Sequence, residues 1–168
     1  YGSNTDTAMT LLKFTGFDAE GQEVPIGMFC WFAVHPDCIG PSNQLISGDS
    51  KGLASYMFEK YMGGDYTKDR TFVAAFAQTN AGDVTPNVPF TQKFYSRDLA
   101  AEALRSYGIS SPDEEIALQG FPWAEAKGEA DPEKNIVLKL EATRQYRKAL
   151  ELFEGSMQPL HGSVDYRH

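Results

Sequence analysis

Apolar residues along this chain follow two spacings. Met9-Thr-Leu-Leu-Lys-Phe14 reads as a strand, and Pro25 to Val34, an almost unbroken apolar run, reads as its partner. Between them Asp18 and Gly21 mark a hairpin turn over 16–22. The continuity of the second run predicts burial on both faces of the sheet. Leu53, Ala54, Met57, Phe58 and Tyr61 then recur at helical spacing. They predict a helix that Asp49-Ser50 can cap and that Gly63-Gly64 stops after about Met62. Phe72-Val-Ala-Ala-Phe-Ala77 reads as a third strand. Strand, helix and strand in that order predict a right-handed crossover and a parallel pair.

The pattern is less regular over 88–131, where 97–106 reads as a short helix and 110–114 as a helix start. The strongest helix is predicted over 132–153. Ala142, Tyr146, Ala149, Leu150 and Phe153 form its stripe, and Glu141, Arg144, Lys148 and Glu151 form a solvated face. These elements give an α/β fold class, a mixed sheet with flanking helices. With 168 residues, 42% of them hydrophobic, the chain can bury one sizeable core, which predicts one domain. It starts at Tyr1 without a signal-peptide pattern and stops abruptly at His168. The expectation is that 1–168 is a fragment of a larger α/β catalytic domain, truncated at both ends.

Charge narrows the partners. A net charge of -8 argues against nucleic acid, which needs clustered Lys and Arg, and against a polybasic membrane anchor. No run approaches the roughly 18 apolar residues of a membrane span. Cys30 and Cys38 leave a disulfide open, a Cys30 buried mid-strand favours a free thiol, and no Cys-x-x-Cys pair suggests a zinc knuckle.

Three places can carry chemistry. His35 stands at the C-terminal end of the apolar strand, where α/β proteins place functional groups. One histidine does not make a metal site, so spacing alone favours a hydrogen-bonded structural role. The stretch Asn43 to Gly52 is a polar loop feeding a helix N-terminus, with Asn43, Ser47 and Asp49 as its substrate-binding or loop-positioning candidates; simple capping is an equal reading. Gly82-Asp83-Val84-Thr85-Pro86-Asn87 is a tight polar loop directly after the third strand. Thr85 offers a hydroxyl there, which needs a base or a metal to become a nucleophile. Asp83 and Asn87 would orient the loop, and the bland alternative is a turn built by Thr85 and Asn87. His161 reads as solvent-facing and His168 as structural.

Three segments together resemble the neutral (non-lysosomal) ceramidases. They are Trp31-Phe-Ala-Val-His35, Asn43-Gln-Leu-Ile-Ser-Gly-Asp-Ser-Lys-Gly52, and Phe72 through Asn87. The resemblance covers 8–87 closely and about 140–168 moderately. It implies a zinc-dependent amidase that cleaves the N-acyl bond of ceramide, giving sphingosine and a fatty acid in sphingolipid metabolism. It further implies His35 as a zinc ligand and Thr85 at the active-site hydroxyl position. The remaining ligands would come from the remainder of the parent chain. A secreted or cell-surface location, with peripheral membrane contact, is implied too. The chain departs from the family at Thr85, where serine is usual, at Ser50 for asparagine, and at Pro36-Asp-Cys-Ile39, where Gly-Thr-Ser-Met is usual. These departures motivate an alternative, a catalytically impaired module that binds lipid or a partner. A segment with one zinc ligand is expected to be inactive by itself.

Overall fold

The computed structural model describes residues 5–39, 43–44, 46–86, 132–163 and 165, with side chains of the last helix described from 137 onward. Strand β1 spans Met9–Phe17 and β2 spans Glu23–Phe32. Helix α1 is Asp49–Tyr61, strand β3 is Val73–Gln78, and helix α2 is Pro132–Glu154. The sheet order is β1-β2-β3. β1 and β2 are antiparallel, while β2 and β3 are parallel, as the strand–helix–strand order predicts. The predictions on 88–131, and that for Asn87, lie outside the described residues.

The hairpin turn forms where expected because Asp18 folds back on its own backbone. Its Oδ1 accepts the N–H groups of Glu20 and Gln22 at 3.1 and 2.8 Å, and Gly21 takes a φ of +78° that glycine adopts without strain. β1 runs three residues longer than the hydrophobic pattern shows, while β2 and β3 keep their predicted lengths, shifted by two residues and one. A register shift between Phe14 and Thr15, where Ile26 of β2 is passed over, carries β1 on to Phe17.

Both described helices lie against one face of the sheet. Met28, Cys30 and Ala74 turn toward them and are buried. Phe58 is the centre of this core, with its ring 5.2 Å from Phe153, 5.8 Å from Phe72 and 6.0 Å from Tyr146. The expectation that β2 is buried on both faces fails. Phe29 and Trp31 alternate with the core residues onto the opposite face, stack on each other at 4.4 Å and stay half-buried. No described element covers that side.

Three further expectations change. Asp49-Ser50 does not cap α1. The N-cap is Gly48 without a side-chain bond, and Asp49 is the first helical residue with φ +51°. Tyr61 keeps its ring edge-on to Phe58 and Tyr146 at 6.5 and 6.4 Å but is half-exposed rather than buried, and its hydroxyl donates to Glu154 Oε1 at 2.6 Å. Glu141 does not belong to a solvated face. It is 8% exposed and accepts from Arg144 Nη1 at 2.7 Å, in the middle stretch of α2 that also buries Thr143 and Gln145. Lys148 and Glu151 do form an exposed pair at 2.7 Å.

Candidate active site at the ends of the parallel strands

Because β2 and β3 run parallel in direct register, their C-terminal ends open onto the same side of the molecule. His35 follows the end of β2, and the turn 79–86 follows the end of β3. One carbonyl joins them. The backbone N–H of His35 donates to Val84 O at 3.2 Å, and the ring Nδ1 lies 2.9 Å from the same oxygen. A carbonyl oxygen only accepts, so Nδ1 carries the ring proton. In the neutral imidazole this leaves the lone pair on Nε2, the nitrogen a metal or a proton would take.

The turn is built from short contacts. Ala81 N donates to Thr79 O and Val84 N donates to Ala81 O, each at 2.9 Å. Gly82 sits between them at φ +57°, where a Cβ would be strained. Asp83 and Thr85 are both exposed, and Pro86 is buried behind them. Thr85 adjoins Val84 in the chain, so its hydroxyl-bearing residue is fixed next to the oxygen that anchors His35.

Asp49 holds the stretch that follows His35. Its Oδ1 accepts from Cys38 N at 3.1 Å and its Oδ2 from Ile39 N at 2.8 Å, while Ser47 Oγ accepts from Asp49 N at 3.0 Å. The loop-positioning reading of Asp49 and Ser47 therefore has a geometry behind it. Asn43 is exposed in the approach to this turn. Both cysteines are free and buried. Burial pushes the Cys30 thiol up to about 11 against the opposing pull of Lys51, and burial plus the Asp49 carboxylate hold the Cys38 thiol well above its usual range. Neither is a nucleophile at neutral pH.

Lys51 is the residue that sequence reasoning missed. It is 7% exposed, yet its Nζ donates to Phe32 O at 3.1 Å, Ala77 O at 3.0 Å and Gln145 Oε1 at 3.3 Å. All three ammonium protons are thus used on neutral oxygens. Burial lowers its pKa to about 8, with the Cys30 thiol acting in the opposite direction. A signal existed: Lys51, Ala54 and Phe58 share one helix face, so a cation sits on the apolar stripe. An open cleft of about 640 Å³ runs beside this cluster, lined by His35, Lys51, Ser55, Phe76 and Gln78 among others.

Of the predicted residues, the fold brings His35 together with the turn that carries Asp83 and Thr85. Ser47 and Asp49 support the neighbouring loop, and His161 is exposed and apart. Among the described residues no three His, Cys, Asp or Glu side chains come together as a metal site.

The family profile described as "Neutral/alkaline non-lysosomal ceramidase, N-terminal" matches residues 1–168. Neutral ceramidase B of Dictyostelium discoideum is 36% identical over all of this chain and 22% of its own length. Neutral ceramidase of Pseudomonas aeruginosa is 35% identical over 78% of this chain and 18% of its own. A solved structure, a ceramidase complexed with C2, superposes with a TM-score of 0.50 at 28% identity, covering 88% of this chain and 16% of that one. The chain thus spans about a fifth of the length of the relatives it matches. It belongs to the neutral/alkaline non-lysosomal ceramidase family.

Proposed function

We propose that residues 1–168 are part of the single catalytic domain of a longer zinc-dependent amidase that hydrolyses ceramide. Water adds to the amide carbon, the C–N bond breaks, and the nitrogen leaves as the amine of sphingosine while the acyl group leaves as a fatty acid. The observation that carries this reading is the junction at Val84 O, which ties the histidine after β2 to the turn bearing the hydroxyl after β3. His35 fits a zinc ligand, since its Nδ1–H is anchored and its Nε2 is the nitrogen left to coordinate. The described residues supply no complete set, and in this reading the other ligands come from outside them. A zinc ion bound there would polarise the amide carbonyl. This chain's own part is to orient the imidazole, present the Thr85 hydroxyl and wall one side of the cleft. A lipid substrate also fits peripheral contact with a membrane and a secreted or cell-surface protein.

The test is ceramide hydrolysis by the full-length protein beside its Thr85→Ala, Thr85→Ser and His35→Ala variants. Thr85→Ala is expected to lose at least 100-fold in kcat, a loss typical of removing a group that acts in the transition state. Thr85→Ser is expected to match or exceed the unsubstituted protein, and His35→Ala to lose both zinc and turnover. Full activity in Thr85→Ala would remove the hydroxyl from the mechanism. A second reading, an impaired module that binds lipid or a partner, rests on Thr85 and on the altered loop Pro36-Asp-Cys-Ile39. It is favoured if the full-length protein retains ceramide in a binding assay but does not cleave it.

A further inference from the structure

The ends of the two parallel strands share one donor, the ammonium of Lys51. Beyond Phe32 and Ala77 the ladder between β2 and β3 gives out, one residue after Ala77 and at Phe32 itself. Phe32 O already accepts from Val34 N at 3.1 Å, and a carbonyl oxygen has a second lone pair for a further donor. The Lys51 ammonium reaches both oxygens at once, at 3.1 and 3.0 Å, from the first turn of α1. Its third proton goes to Gln145 Oε1 on α2, and Gln145 Nε2 in turn donates to Glu141 O at 3.3 Å. One cation therefore ties two strand ends and two helices. Its bonded partners are all neutral, so no ion pair explains its burial.

What lies beyond each clamped carbonyl gives this tie a purpose. His35 is three residues past Phe32, and the turn holding Asp83 and Thr85 begins two residues past Ala77. The His35–Val84 junction forms only if both strand ends stop at the right separation. Resting on the ceramidase reading above, we propose that Lys51 is a positioning residue for the candidate active site, its ammonium setting the distance between the His35 segment and the Thr85 turn. It touches neither residue and acts through the two backbone carbonyls it holds.

Lys51→Met keeps the length of the stem and removes the three donors. Lys51→Met combined with Gln145→Leu also removes the orphaned amide oxygen and limits any loss of global stability. Both are made in the full-length protein. Two measurements are read side by side, amide hydrogen exchange by peptide and steady-state hydrolysis of ceramide. Exchange in 33–36 and 79–86 is expected to rise at least tenfold in both variants, while 142–153 of α2 keeps its protection. The kcat is expected to fall at least tenfold with KM within twofold, because a misplaced group weakens the transition state more than substrate binding. Unchanged exchange in 33–36 and 79–86 overturns the proposal, as does a uniform rise across both helices that marks a general structural role. Local loosening with unaltered kcat overturns it as well. If the unsubstituted protein does not cleave ceramide, the ceramidase reading fails, and the exchange pattern alone still decides whether Lys51 sets the junction.

Discussion

Replacing Asp49 separates three effects that the structure puts at one position. Its carboxylate accepts Cys38 N at 3.1 Å and Ile39 N at 2.8 Å, and its φ is +51°. Asp49→Asn keeps the shape and one acceptor oxygen and tolerates the left-handed backbone. Its amide nitrogen must then face one of the two N–H donors. With Oδ1 retained for Cys38 and Ser50, the Ile39 N–H loses its partner, at a cost of about 2 kcal/mol for a bond to a charged group. Asp49→Gly loses both loop bonds but relaxes the backbone, for a cost of about 3–4 kcal/mol. Asp49→Ala loses the same bonds and adds about 1 kcal/mol of left-handed strain. The order of damage is therefore Asn, Gly, Ala. Amide exchange of the peptide containing Cys38 and Ile39 in the full-length protein measures it. About 2 kcal/mol corresponds to roughly 30-fold faster exchange when opening is the local event. Equal protection in the Gly and Ala variants would refute the strain, and an unaltered Ile39 amide in the Asn variant would refute the carboxylate bridge.

Three other outcomes follow from the packing. In Gly27→Ala the new Cβ would lie 2.9 Å from Val73 O, so β2 and β3 must part; a loss of about 1–3 kcal/mol in thermal unfolding is expected, and a neutral result would mean the strands can shift freely. Phe58→Ala empties the ring cluster shared by α1, α2 and Phe72, for about 3–5 kcal/mol in denaturant unfolding, and a cost below about 1 kcal/mol would show that the cluster collapses to fill the space. Lys51 titrates near 8 when folded and near 10.5 when unfolded, so between those values the unfolded chain holds a proton the folded one has released. Stability measured relative to Lys51→Met should rise with pH across that window and stay level below it; a fall would reverse the sign of the burial effect.

Much of the architecture was legible because it depends on local spacing. Alternating and continuous apolar runs located the three strands, and the positions Ala142, Tyr146, Ala149 and Phe153 located α2. What stayed hidden depends on partners far along the chain. Asp49 beside Ser50 looks like a helix cap under local rules, yet its oxygens are claimed by Cys38 and Ile39, ten or more residues away. Glu141 looks solvated from its place on the helix wheel, and only the packing of α2 buries it. Lys51 is the same case in stronger form, since its three acceptors come from β2, β3 and α2. In the candidate site, the strand-end rule pointed to His35 and the turn after β3. Their meeting at a single carbonyl could not be read from residue types, because a backbone oxygen carries no sequence signal.

The side of the sheet that no described element covers bears on how this chain behaves in solution. Leu12, Phe14, Phe29, Trp31, Val73 and Ala75 share it through the strand register, and Phe14 and Val73 are 43% and 56% exposed. β3 is also an edge strand among the described residues. An apolar face beside an open backbone edge is the usual template for one copy to add to the next. Residues 1–168 produced alone should therefore self-associate as concentration rises, with Trp31 fluorescence shifting to the blue as the stacked pair loses water. Charged substitutions at Phe14 and Val73 should keep the chain monodisperse without touching the helices that form the core.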